Sequence, residues 1–186
     1  MTENNNIKPS EEKVWKKYLP EGAVDVEIAK CTAFEYLRDN NADNLGGNAI
    51  HYYGKNITFR EMFYTIVEYS TAFDAIGVKQ GDLVSAIAVG VPEYLMSIYA
   101  LNRIGATTNT IDPRMDVDSI KRMVQQSGSK ITLILDAMFA KVEPILDELG
   151  QDMFIILPTT RSMPLLPKLV INRRLKLKIP FGGKIV

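Results

Sequence analysis

An α/β fold is the class this sequence predicts: a doubly wound, mainly parallel sheet with helices on both faces, preceded by a small hairpin. Three observations carry it. Short uncharged apolar runs occur at residues 83–89, 131–135 and 153–157, and each suits a strand covered on both faces. Between them lie stretches with apolar residues at helical spacing. The two kinds of segment alternate, as parallel strands joined by right-handed crossovers do.

Residues 1–10 are polar and are expected to be disordered. Residues 11–18 suit a short helix capped by Ser10, with Val14, Trp15 and Tyr18 on one side. Trp15, the single tryptophan, reads as a packing anchor. Asp25 is placed to cap a second helix, whose buried stripe would be Ile28, Ala29, Thr32, Ala33, Tyr36 and Leu37. Cys31 falls on that helix as a small apolar residue. Asn40-Asn41 and Gly46-Gly47 mark a loop. Residues 49–53 and 55–58 flank Gly54 as a hairpin, with His51 on its first strand. His51 has no nucleophile or orienting partner near it in the sequence, so it receives no catalytic assignment.

Thr58-Phe59-Arg60-Glu61 has the capping-box pattern, and Ile57 and Met62 are spaced as a hydrophobic staple around it. The helix is expected to run to about residue 76, burying Phe63, Ile66, Val67, Ser70 and Phe73, and Gly77 ends it. After the strand at 83–89, Gly90 breaks the run and Pro92 takes the first helical position, where its missing N–H is not needed. Leu95, Met96, Tyr99, Leu101 and Ile104 continue at helical spacing, and Gly105 closes the helix. A second strand at 106–111 ends at Asp112-Pro113, completing a strand–helix–strand unit with parallel strands. Asp116 or Asp118 starts the next helix, which carries Ile120, Met123 and Val124 and stops at Gly128. Asp136 can cap a helix over 137–149 with Phe139, Val142, Ile145 and Leu149 on one face. Pro144 lies inside it, where a proline costs about 3 kcal/mol, so the helix either starts late or kinks.

Residues 153–186 contain no acidic side chain but carry Arg161, Lys168, Arg173, Arg174, Lys176, Lys178 and Lys184, with Leu165, Leu166, Leu169, Val170 and Ile171 among them. Pro158, Pro164 and Pro167 keep the front irregular, and a short helix is expected at about 168–177. This tail reads either as a peripheral packing element or as a basic amphipathic segment touching anionic membrane.

At 186 residues, 46% apolar and 24% charged, the chain has the composition of a soluble globular protein. A formal net charge of zero gives no general nucleic-acid signal. One cysteine excludes an internal disulfide and a cysteine-built metal site. No apolar run approaches a membrane span, and the polar first residues lack the core of a secretory signal, so the cytoplasm is the expected compartment. The sequence has no G-x-x-x-x-G-K-[ST], no G-x-G-x-x-G after a strand and no G-x-S-x-G. No His, Asp and Glu cluster has metal-ligand spacing. The candidate site residues are therefore none: no catalytic, cofactor-binding or metal residue is assigned.

Asn102-Arg103-Ile104-Gly105-Ala106 followed by Ile111-Asp112-Pro113 resembles the Leu-x-Ala-Gly-Ala-x-x-x-Pro-x-x-Pro motif of adenylate-forming (AMP-binding) enzymes: acyl-CoA synthetases, nonribosomal-peptide adenylation domains and luciferases. Ile57-Thr58-Phe59-Arg60-Glu61-Met62 resembles that family's earlier Leu-Thr-Tyr-x-Glu-Leu signature, in the right order and separation. The likeness runs from about residue 15 to about residue 157. It is greatest to long-chain acyl-CoA synthetases (fatty-acid–CoA ligases), on the Trp-x-Lys-Tyr opening at Trp15 and the basic, apolar tail.

The resemblance implies the N-terminal subdomain of the acetyl-CoA synthetase-like fold over residues 11–157, with 158–186 as a basic tail leading towards a phosphate-loop region. It implies ATP, Mg²⁺ and coenzyme A for the parent enzyme, and none for these residues. The family's phosphate loop, its aromatic-Gly-x-Thr-Glu motif, its ribose-binding Asp and its catalytic Lys have no counterpart here. The chain is thus expected to be an N-terminal portion, inactive alone, arising from deliberate truncation or from a shortened gene. The expected partners are the remainder of the parent enzyme, a second copy through exposed apolar surface, and a membrane surface in weak peripheral contact.

Overall fold

The computed structural model describes residues 8, 10, 13–23, 27, 29–175 and 178–186. Most of the N-terminal residues expected to be disordered, the Asp25 cap, Ile28, and Lys176-Leu177 at the expected end of the tail helix lie outside these. The chain divides into two units, Met1–Lys30 and Cys31–Val186.

In the first unit Val14–Tyr18 forms a 3-10 turn, not an α-helix. Trp15 is about half exposed and Tyr18 more so, so neither anchors a core within this turn. Lys17 instead lies over the Tyr18 ring at 4.9 Å.

The second unit opens with α1 (Ala33–Asp39), capped by Thr32 rather than by a residue upstream. The Thr32 hydroxyl accepts the Glu35 N–H at 3.1 Å, and the Glu35 carboxylate accepts the Thr32 N–H at 2.8 Å. With the cap at Thr32, Cys31 stands before the helix and is exposed, contrary to its expected helical position. The hairpin follows as β1 (Asn48–Tyr52) and β2 (Lys55–Thr58), paired antiparallel. Tyr53 and Gly54 turn it with φ of 49° and 86°, the two positive values that a type I′ turn requires.

Helix α2 (Phe59–Ala75) starts at the Thr58–Glu61 capping box, with both reciprocal bonds formed. Its buried side chains are Met62, Phe63, Ile66, Ser70 and Phe73; Val67, expected inside, faces outward. Strand β3 (Leu83–Ile87) ends two residues before the apolar run does. Pro92 then opens α3 (Pro92–Arg103), where Leu95 is among the exposed side chains and Met96, Ala100 and Leu101 are buried. Strand β4 (Thr107–Ile111) leads to α4 (Val117–Ser127), whose N-cap is Asp116, accepting the Ser119 N–H at 2.8 Å. Gly128 ends α4 in the left-handed conformation at φ 66°.

After β5 (Ile131–Leu135) the expected single helix breaks into a 3-10 turn at Asp136–Met138, the short α5 (Phe139–Val142) and a 3-10 segment at Glu143–Leu149. Pro144 sits in the first turn of that last segment, where its missing N–H costs no hydrogen bond. Phe139, Val142, Ile145 and Leu149 are all buried, as their spacing predicts. Strand β6 (Met153–Leu157) and α6 (Leu165–Leu175) follow as the last regular elements among the described residues. Helix α6 starts three residues before the expected position and tolerates Pro167 in its first turn.

The sheet is parallel, in the order β4-β3-β5-β6. Its two faces bury separate cores. Val84, Ala86, Leu133 and Leu135 meet α2 and α3, whereas Ile87, Ile111 and Ile134 meet α4 and the segment carrying Val142, Ile145 and Leu149. The outer edge of β6 is occupied by the chain itself. Phe154 and Ile156 donate to the carbonyls of Lys184 and Val186, and Val186 donates back to Phe154, at 2.7–2.9 Å.

Candidate functional site

In a parallel sheet wound in both directions, the loops at the carboxyl ends of the strands converge, and a crevice opens where neighbouring strands send their connections opposite ways. Here that point lies between β3 and β5. The connection from β3 passes over one face to β4, and the connection from β5 passes over the other face to β6. The loops concerned are 88–91, which follows β3, and the turn at Asp136–Met138.

Asp136 is buried at this point. Its Oδ1 accepts the Ala137 N–H at 2.6 Å and the Thr159 N–H at 3.0 Å, and also accepts the Thr159 hydroxyl. Tyr52, from the hairpin, donates its hydroxyl to the Thr159 carbonyl at 3.2 Å. Burial is the main cause pushing the Tyr52 phenol up to about 12, helped by Tyr53, Glu93 and Asp136 nearby. Three residues on from Thr159, Ser162 donates its hydroxyl to Glu93 Oε1 at 2.6 Å. The stretch after β6 is therefore pinned by three elements: β1 through Tyr52, the turn after β5 through Asp136, and α3 through Glu93. Thr160 adds a bond to Asn172 of α6 at 2.8 Å.

A cavity of about 340 Å³ lies beside this crevice, between the ends of β3 and β4, and Gly90, Tyr94, Thr110 and Asp112 line it. Asp112 is held by Arg114 through contacts of 2.5–3.0 Å, and these hydrogen bonds bring its carboxyl down to about 2. Lys141 donates to the main-chain oxygens of Pro113 and Met115.

None of these side chains stands out in the sequence as functional. Asp136 is legible only as a helix cap, and Glu93 only as an acid in the first turn of a helix. Their partners, Thr159 and Ser162, are far away along the chain. His51 meets Asn56 across the hairpin at 2.6 Å and faces solvent, apart from this region. Among the described residues, no group of three or more His, Cys, Asp or Glu is placed to hold a metal ion. No helix among them is long and apolar enough to cross a membrane.

A family model described as "AMP-binding enzyme" matches residues 37–165. The acetyl-coenzyme A synthetase of Methanothrix thermoacetophila is 21% identical over 159 residues, covering 81% of this chain and 23% of that protein. The 3-hydroxypropionyl-coenzyme A synthetase of Sulfurisphaera tokodaii is 24% identical over 127 residues, covering 68% of this chain and 19% of that protein. Among solved structures, coronafacic acid ligase from Pectobacterium brasiliense superposes with a TM-score of 0.68 at 17% identity, over 83% of this chain and 28% of the other. The chain spans about a quarter of the length of these proteins, and the structural likeness shows the same fold over their N-terminal subdomain.

Proposed function

Because the chain belongs to the AMP-binding enzyme family, through residues 37–165, we propose that it supplies the N-terminal scaffold of an ATP-dependent acyl-CoA synthetase and is inert by itself. In such an enzyme a carboxylate attacks the α-phosphate of ATP, releasing pyrophosphate, and coenzyme A then takes the acyl group as a thioester. The observation that carries the reading is the family match over a strand–helix–strand unit whose loops meet at the carboxyl edge of the sheet.

The residues at that edge do not themselves fit Mg²⁺-ATP. Phosphates need cations or an array of donors, whereas this edge presents the carboxyls of Asp112 and Asp136. Two cations of the loops after β4 and β5, Arg114 and Lys141, are engaged with Asp112 and with main-chain oxygens. The chemistry is assigned to groups outside these residues, and the role of this chain is to position them. A coupled pyrophosphate-release assay on the 186-residue protein, with ATP, Mg²⁺, coenzyme A and a panel of carboxylic acids, should stay at the blank rate. Turnover would overturn the inert reading.

The finer proposal is a fatty acyl substrate, supported by the Trp-x-Lys-Tyr opening and the basic, apolar tail. A chimera carrying this chain in place of the matching segment of an acetate-specific ligase tests it. A shift of preference from acetate towards octanoate or palmitate is expected; unchanged preference for acetate counts against it.

A second reading rests on α6. Leu165 and Leu166 are 70% and 76% exposed, Leu169 and Val170 are exposed too, and Arg173 and Arg174 follow them. An apolar surface edged with arginines suits the face of an anionic bilayer. Co-sedimentation with phosphatidylserine vesicles should be lost in Arg173→Glu/Arg174→Glu. Binding that survives the double change, or self-association by light scattering in place of vesicle binding, counts against it.

A further inference from the structure

Glu93 lies in the first turn of α3 and is wholly buried. One carboxyl oxygen accepts from Ser162, and the other, Oε2, is closed off from solvent and has no hydrogen-bond partner among the described residues. Leaving a buried carboxyl oxygen unmatched is costly, so such an atom marks a place where a donor belongs. Glu93 lines a cavity of about 320 Å³ between α2, α3 and the 161–162 stretch. Glu61 and Glu68 of α2 line it as well, as do Tyr69, Arg161 and Ser162. The Tyr69 ring already carries a cation there: the Arg161 guanidinium stands 5.9 Å from its centroid.

We propose that this cavity is a site for a small organic cation, an alkylammonium or alkylguanidinium group, with Glu93 as counter-charge and the Tyr69 ring as wall. Three carboxyls from two helices face two cations, Lys55 and Arg161, across it. A positive head that donates N–H bonds meets both needs at once: with Arg161 displaced and the lining opened it can give Oε2, shut off as the side chains stand, its missing donor, and it lies against an electron-rich ring. A neutral ligand of the same shape meets neither, and an anion would face the carboxyls. Arg161 is exposed and stands over the Tyr69 ring, the place the ligand's cation would take, so it is the group that gives way when the ligand enters. Met96 and Ile57 offer the alkyl part of the ligand an apolar floor.

Because Arg161 competes for the site, Arg161→Ala should open it. Calorimetric titration of the full chain with methylguanidinium and n-butylammonium, against urea, n-butanol and potassium chloride at matched ionic strength, reads the result. Saturable millimolar binding of the two organic cations to Arg161→Ala is expected, about tenfold weaker in the wild type and lost in Arg161→Ala/Glu93→Gln. Tyr69→Leu in the Arg161→Ala background should weaken binding several-fold, and it keeps the test decisive if the Glu93 variant does not fold. Absence of saturation in Arg161→Ala, an unchanged affinity in both further variants, or equal binding of the neutral isosteres overturns the proposal.

Discussion

Asn102, in the last turn of α3, accepts the main-chain N–H of Phe34 in α1 at 3.0 Å, joining residues 68 positions apart. The first four N–H groups of a helix have no partner within it, and here one is met by a side chain from another helix. Arg103 extends the same junction. It donates to the Ser70 hydroxyl of α2 at 2.8 Å and lies 5.9 Å from the Phe34 ring. The Asn-Arg pair of the family-like motif thus ties three helices together. Asn102→Ala should cost about 1 kcal/mol in chemical denaturation, with faster hydrogen exchange confined to α1. Uniform loss of protection across the sheet would contradict a local tie.

Gly105 carries two constraints. Its φ is +78°, and a Cβ there would approach the Gln80 side chain to 2.7 Å. Gly81 also donates to its carbonyl at 2.9 Å, fixing the backbone against the turn that precedes β3. Gly105→Ala is expected to lower stability by about 1–3 kcal/mol from the backbone conformation. Gln80→Ala in the same chain should recover only the part due to the close contact. Full recovery would show that the backbone strain is negligible.

Tyr52 predicts an alkaline limit. Its folded-state phenol is raised above the usual tyrosine value, to about 12. Between roughly pH 10 and 12 the unfolded chain gives up this proton while the folded chain keeps it, so stability falls as pH rises through that window. Below it the contribution is complete. Thermal melts of Tyr52→Phe should show a shallower decline over that window than the wild type; parallel declines would remove Tyr52 as a cause.

Asp112 predicts the opposite end. Its folded carboxyl is brought down to about 2, first by the Arg114 side chain and then by the Arg114 N–H. The contribution is present above the ordinary aspartate value and is lost as pH falls towards 2. Carbon-13 titration should place the Asp112 midpoint near 2 and return most of the shift in Arg114→Ala. An unchanged midpoint in that variant would assign the shift elsewhere.

Inside the sheet, Ser85 of β3 joins a network that includes Ser127, Ser129 and Asn109, which Thr132 and Gln151 extend, with bonds of 2.7–3.4 Å. Ser85→Ala leaves several buried groups short of a partner and should cost about 1–3 kcal/mol. Ser85→Ala/Gln151→Leu should fall short of the sum of the single changes, because both act on one network. Additive losses would mean the two halves are independent.

Local signals were readable in advance, and contacts across the chain were not. Thr58 and Glu61 lie three residues apart, so their cap can be read directly, as can the turn at Gly54 and the strands at Ile131–Leu135 and Met153–Leu157. Thr32-Ala-Phe-Glu35 has the same cap pattern, but the apolar stripe beginning at Ile28 points upstream and masks it. That is why the sequence pattern puts Cys31 on a helix that it in fact precedes. Pro144 announces a break but not its form, because continuing as a 3-10 segment depends on Ile145 and Leu149 finding the core. The candidate site is legible least. Asp136 with Thr159, and Glu93 with Ser162, meet only once four parallel strands bring their ends together.

Both margins of the sheet are guarded, by different means. On one side β4 reads Thr-Thr-Asn-Thr-Ile, a polar strand offering little to a foreign apolar partner. On the other, residues 184–186 lie along apolar β6 and occupy the amides of Phe154 and Ile156. Whatever loosens those three residues bares the amides and carbonyls of an apolar strand, Met-Phe-Ile-Ile-Leu, to pairing with another chain.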